Sequence, residues 1–194
     1  MLYINLKIKL FNMNIFILDT DPALCAKYHC NKHLVKMITE HNQILGSIAY
    51  FARGVNKKSE ITSAFIEKTF KGFPRKVNGN ILPYGIGYKN HPCTRWAAMS
   101  ISNYQWLCTL NLYMCKEYTK RYGRKHAGED ITNWYANNQP KLPTLGLTTF
   151  AQAMPEDCKN DNTVEAYRTY YIKHKAGFAK WPADSLPNWW PLKN

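Results

Sequence analysis

Two imidazoles, an ammonium, a carboxylate and an amide recur along one stretch of the chain: His29, His33, Lys36, Glu40 and Gln43. At about 100° per residue they fall on roughly one side of a helix. Such a set can do acid–base work, because imidazole and carboxylate exchange protons near neutral pH. A carboxylate there can also stabilise a developing cation, and an amine with a depressed pKa can attack an electrophilic carbon. The same five side chains equally make a solvated helix face, and spacing alone leaves both readings open. His29 and His33, four apart, could place two metal ligands on one face. The metalloprotease pattern needs glutamate directly after the first histidine, and position 30 is Cys. Neither a metal nor a cofactor is expected.

These residues need a helix to present them. Asp21 to Arg53 reads as one long helix, with Leu24, Tyr28, Val35, Ile38 and Leu45 as its apolar stripe. Asp19-Thr20-Asp21-Pro22 supplies a capping oxygen, an acidic first turn and proline at the first helical position. Before it, Met13 to Leu18 is short, apolar and β-prone. Met13 is an alternative start, which would make residues 1–12 an extension. A short helix is expected within Ser59–Phe70, and residues 71–90 read as a basic loop punctuated by Gly and Pro.

A second helical block opens at His91-Pro92 and runs to Gly123, a favourable C-terminal stop. Leu107, Leu110, Met114 and Tyr118 form its buried stripe, which also carries Asn103 and Arg121. A polar group on an apolar face must find partners or line a cavity. Arg121-Tyr122-Gly123-Arg124-Lys125-His126 is a dense cationic turn, suited to phosphate or to the helix dipole. Further helices are expected over Glu129–Asn137 and Thr163–Lys175. In the last, Val164, Tyr167, Arg168, Tyr171, His174 and Lys175 share a face that could stack on bases or pack inward. The aromatic tail from Phe178 to Trp190 should fold back onto the body. The fold class is therefore mainly α: one compact helical domain over 1–194 with a short extended N-terminal segment.

Charge narrows the partner. The 26 Lys and Arg against 13 Asp and Glu give a net +13, in a chain that is 45% hydrophobic and 14% aromatic. That imbalance points to a polyanion, nucleic acid first, then an acidic membrane surface or a phosphorylated small molecule. The six cysteines lack zinc-module spacing and read as reduced thiols of an intracellular protein. No apolar run reaches the length of a membrane span. The phosphate-binding glycine loop, the Rossmann fingerprint and the nucleophile elbow are all missing.

Several of these pieces together resemble a set of poorly characterised phage and large-DNA-virus proteins. They are Met13-Asn14-Ile15-Phe16 with Asp19 and Asp21-Pro22, Lys32 to Met37 with Glu40, and Asn90-His91-Pro92. The likeness continues through Asn103 to Leu107, Glu117-Tyr118, Arg121-Tyr122-Gly123 and Gln152 to Pro155. It ends with Ala166 to Tyr171 and Phe178 to Trp181. Such proteins are similar in turn to pyrimidine-dimer DNA glycosylases of the endonuclease V type. That resemblance implies an N-terminal α-amine that attacks the sugar C1′ to give a Schiff base, assisted by a first-helix glutamate and acting on damaged or modified duplex DNA. Glu40 is the matching carboxylate, and His33 would tune it. The amine would belong to a chain begun at Met13; in a chain begun at Met1, Lys36 or Lys32 would serve. Arg95, Arg121, Lys125, Arg168 and Lys175 would hold phosphates, with Tyr171 among them. Two other classes stay open: a phosphodiesterase using His29, His33 and His91, and a non-catalytic nucleic-acid binder. For a viral protein the compartment would be the host cell interior.

Overall fold

The computed structural model describes residues 14–191. The N-terminal residues 1–13, which include both candidate start positions, lie outside that range. Seven α-helices dominate: α1 (Pro22–Tyr28), α2 (Asn31–Phe51), α3 (Ser63–Thr69), α4 (Pro92–Met99), α5 (Ile101–Tyr122), α6 (Glu129–Asn137) and α7 (Thr163–His174). Short 3₁₀ turns stand at Lys58–Glu60, Glu156–Cys158 and Ala183–Ser185. Among the described residues the sheet is one small antiparallel hairpin, β1 (Lys76–Val77) with β2 (Asn80–Ile81). It sits inside the stretch expected to be pure loop, where Asn78 and Gly79 take positive φ at the turn, as tight hairpins require.

The expected Asp21–Arg53 helix is two helices. The start is as expected: the Asp21 carboxylate accepts from Ala23 N and Leu24 N at 2.8 Å, and Pro22 follows. The break comes at His29 and Cys30, both in extended backbone. There the His29 ring closes a 2.7 Å hydrogen bond with the Cys25 carbonyl. Arg121 reaches in from α5 and donates to the Lys27 carbonyl at 2.8 Å, the His29 carbonyl at 2.9 Å and Asn31 Oδ1 at 2.9 Å. A helix end leaves unpaired carbonyls, and a guanidinium with five donors answers several at once. The helix therefore stops where a residue some ninety positions away satisfies its end.

The second block also divides. Ser100 adopts φ −146°, ψ 155°, ends α4 and caps α5 by accepting from Asn103 N at 3.2 Å. Asn103, the polar group on the apolar stripe, is fully engaged. It donates to the Trp96 carbonyl and to Thr148 Oγ1, both at 2.7 Å, and accepts from Thr148 N at 2.9 Å. Gly123 takes φ 66° and stops α5 as expected.

Helix α2 is central, roughly 30 Å long at 1.5 Å per residue, and packs on α4, α5 and α6. Its second half, Ile44 to Tyr50, is buried at every position, so it is not an amphipathic surface helix. Leu24 and Val35 of the expected stripe are each 43% exposed, whereas His29, His33 and Glu40 of the expected polar side are buried. Two close approaches depend on glycine. A Cβ at Gly46 would stand 2.8 Å from the Tyr135 hydroxyl, and one at Gly128 would stand 2.9 Å from Asn42 Nδ2. Asn42 donates to the Gly128 carbonyl at 2.9 Å and accepts from Thr132 Oγ1 at 2.9 Å, which locks α6 to α2.

Arg121 also pairs with Glu117 at 2.7 Å, with its side chain only 2% exposed. Breaking a buried, hydrogen-bonded pair strands the partner and costs about 3–5 kcal/mol. Arg121→Ala is thus expected to destabilise the fold by about 3 kcal/mol or more in urea unfolding. A loss below about 1 kcal/mol, as for a surface cation, would contradict its role as the clamp on α1.

Candidate active site

The site begins with the extended segment Asn14–Leu18, which runs buried beside α2 without pairing as a strand. Asn14 anchors it. Its side-chain amide donates to the Ala153 carbonyl at 2.7 Å, and its Oδ1 accepts from the Tyr167 hydroxyl at 3.0 Å and from Ile15 N at 2.8 Å. Cys93, near the start of α4, adds a thiol contact to the same oxygen at 3.5 Å. Held this way, the Asn14 main chain lies against α2, where its amide favours the Glu40 carboxylate.

Glu40 itself is 8% exposed. One carboxylate oxygen pairs with Lys36 Nζ at 2.7 Å. The other, Oε2, is buried with no hydrogen-bond partner, so the nearby Asn14 amide does not close a full bond onto it. Burial raises the Glu40 pKa, and Lys36 and the Asn14 amide pull against that rise. A half-satisfied carboxylate held off water costs stability, and a cost of that kind calls for an explanation.

Three histidines surround this segment, and all are neutral at pH 7. His29 is lowered to about 4, His41 to about 3 and His33 to about 2, in each case chiefly by burial. His41 bonds Asn111 Oδ1 at 3.0 Å. His33 bonds the Tyr171 hydroxyl at 2.6 Å and stacks on Phe16 at 4.4 Å between ring centroids. His91 caps α4, its Nδ1 accepting from Cys93 N at 3.2 Å. Of the four expected catalytic residues, then, Lys36 and Glu40 meet. Among the described residues neither His33 nor His91 hydrogen-bonds to Glu40, and His33 is a structural partner of α7.

Lys36, Thr39, Glu40 and Gln43 share an arc of about 100° on α2. This edge borders two clefts that meet at Tyr84. The larger, about 360 Å³, is lined by Thr39, Arg75, Lys76, Tyr84, His126 and Asp130. The second, about 250 Å³, runs on past Gln43 and Ser47 to Lys58 and Tyr88. Together they form a cationic groove between α2 and residues 74–88. The sequence marks residues 71–90 as a basic loop but does not show that Arg75 and Lys76 share a cleft with Thr39, the neighbour of Glu40 on α2. Asn14 was missed as an anchor because its partners lie some 140–150 residues away.

The expected phosphate ligands divide by access. Arg95 and Lys125 are exposed, Lys125 pairing with Asp130, and Lys175 is half-buried over the Tyr170 ring. Arg121 is not available to phosphate, being buried in the α1 clamp. Arg168 donates to the Leu18 carbonyl at 3.1 Å, pairs with Asp19 and Glu165, and stacks over Trp189. Tyr171 is fully buried and cannot stack on a base. The aromatic face of α7 is thus a core face, covered by the tail through contacts such as Trp181–Tyr171 and a 2.8 Å bond from Trp181 Nε1 to the Tyr28 carbonyl.

A family model, pyrimidine dimer DNA glycosylase, matches residues 13–130. The chain belongs to this family. The match starts one residue before Asn14 and takes in all of α1 to α5, with Glu40 at the centre of α2. No curated protein and no solved structure matches the chain. Among the described residues no helix is long and apolar enough to cross a membrane.

The buried histidines give this glycosylase fold a pH signature. Each folded pKa lies below the unfolded value near 6.5, so the unfolded chain binds more protons between the two. Stability is then full above pH 6.5 and is lost on acidification, by about 2 kcal/mol per histidine at pH 5. Glu40, shifted upward, works in the opposite direction but is a single group. Melting followed by circular dichroism should show a steep fall in Tm from pH 6.5 to pH 4.5. A flat Tm across that interval would mean that the imidazoles are solvated.

Proposed function

We propose that the chain excises damaged pyrimidines from duplex DNA and nicks the resulting site through an α-amine at the start of the matched segment, Met13 or Asn14. The observation that carries this reading is the Asn14 main chain fixed against the half-partnered Glu40. In the proposed reaction the uncharged amine forms a bond to C1′ as the bond from C1′ to the base breaks. Opening of the sugar at its ring oxygen gives the Schiff base. Loss of the C2′ proton then expels the 3′ phosphate, and water releases the enzyme. Glu40 stabilises the cation at C1′ in a low-dielectric setting, where a fixed charge acts more strongly than in water. It also carries protons between the amine and the sugar.

An ammonium is not a nucleophile, and Lys36 is in an ion pair with Glu40. This favours the α-amine over Lys36 as the attacking group and leaves Lys36 to fix the carboxylate. In this reading Lys58, Arg75 and Lys76 contact the DNA backbone along the groove, whose α2 edge is Thr39 and Gln43, and the exposed Arg95 and Lys125 take further phosphates. A His-based phosphodiesterase is disfavoured, because His29 and His33 are neutral, buried and already bonded.

Glu40→Gln in a chain begun at Met13 should lower nicking of a thymine-dimer duplex by about 10²–10³-fold, the usual cost of losing one preorganised electrostatic group, with DNA affinity little changed. Equal activity would remove Glu40 from the chemistry. The chain begun at Met1 should stay inactive until residues 1–12 are removed, and equal activity of both forms would contradict the α-amine assignment. Binding should also weaken steeply with salt, the slope of log K against log salt being about −0.9 per phosphate neutralised. Arg75→Ala and Lys76→Ala together should flatten that slope, whereas an unchanged slope would place the DNA elsewhere.

A further inference from the structure

Away from the groove, the 3₁₀ turn Glu156–Cys158 meets the last residue of α7. Asp157, Cys158 and His174 each offer one ligand atom there, and the three atoms lie within 4.8 Å of one another. Among the described residues no other group of three or more His, Cys, Asp or Glu side chains comes together in this way. We propose that these three side chains bind a divalent zinc-class ion, with water in the fourth position.

The spacing carries the proposal. Ligand atoms about 2.0–2.3 Å from a tetrahedral zinc ion stand roughly 3.3–3.7 Å from one another. Here His174 Nε2 is 3.5 Å from Asp157 Oδ2, and Cys158 Sγ is 3.7 Å from Asp157 Oδ1. The His174 separation is long for a charge-assisted hydrogen bond, which closes to about 2.7–2.9 Å, while the Cys158 thiol makes only a weak sulfur contact. The two contacts fall on opposite oxygens of the Asp157 carboxylate, and one ligand atom from each of the three residues lies within 4.8 Å of the other two, close enough for a small inward movement to seat one ion among them. Lys173 does not fill the gap: its short bond, 2.8 Å, goes to the Asp157 main-chain carbonyl, and its carboxylate contact is 3.4 Å.

The donor set selects the ion class. A thiolate, an imidazole and a carboxylate suit zinc or cobalt(II), whereas calcium and magnesium take oxygen ligands. Thiolate and carboxylate together neutralise the dication. Cys158 is 2% exposed, so the sulfur side of the site is shielded, while His174 and Asp157 open to solvent and give the ion a way in. A bound ion would tie the end of the connector after residue 139 to the C-terminal end of α7.

Cobalt(II) titration of the full chain tests this, because thiolate coordination produces a charge-transfer band in the near ultraviolet. The expected result is saturation at one ion per chain, displacement by zinc, and a rise in Tm with zinc concentration. His174→Gln, a change at an exposed position, should abolish the band and weaken zinc binding by more than the roughly 10–100-fold that outer-shell changes cost. Cys158→Ser should do the same, and His174→Gln keeps the test decisive where the serine variant folds poorly. Absence of the band in the parent chain, or a band that survives in His174→Gln, would overturn the proposal. A band that survives in Cys158→Ser would likewise overturn it and assign the ion to another of the six cysteines.

Discussion

The structure depends on holding a short, buried, mostly apolar segment in place by one polar anchor. Asn14 to Leu18 is extended, buried and unpaired as a strand, so its position rests on side-chain bonds. The Asn14 amide group does most of this, linking the segment to Ala153 and Tyr167 across the core. Each such buried bond contributes only about 1 kcal/mol net, but leaving either partner unpaired costs more. That asymmetry makes the placement rigid. It also explains why α7 and the connector, which lie beyond the matched segment, matter to a site built on α2.

Around that anchor the interior is polar to a degree that composition alone would not suggest. His29, His33, His41, Asn42, Asn103 and Asn111 are all buried, with imidazoles kept neutral by desolvation. The charged side chains that do enter the body have assigned tasks. Arg121 answers the carbonyls at the end of α1, and Arg168 ties α7 to Leu18 and Asp19. The remaining cations stay at the surface, several of them around the groove beside Glu40. Thr39 and Gln43, which flank Glu40 on α2, line that groove's two clefts.

Much of this was legible in the sequence where the information is local. The Asp21-Pro22 start, the Gly123 stop, the Asn103 network and the inward-folded tail all follow from neighbouring residues and period. The errors share one cause. Asp21–Arg53 looked continuous because nothing nearby forbids a helix at His29; Arg121 ends it from α5. The imidazoles looked like a polar face because periodicity sees polarity, not the Tyr171 and Phe16 rings that cover His33. The same blindness made Arg121, Arg168 and Tyr171 look like nucleic-acid ligands. Glu40 stood out in the sequence because it follows the stretch Lys32 to Met37, which carries the family likeness. Its neighbour Asn14 did not, because an asparagine's importance here lies in partners far along the chain.

The proposed reaction turns on an N-terminal α-amine, rather than a lysine side chain, as the attacking nitrogen. Borohydride reduction of the reaction with a dimer-containing duplex, followed by digestion and mass spectrometry, locates the trapped sugar directly. In a chain begun at Met13 the adduct should fall on the N-terminal residue, with Lys32 and Lys36 unmodified. An adduct on Lys36 or Lys32, with the N-terminal peptide unmodified, would contradict the account.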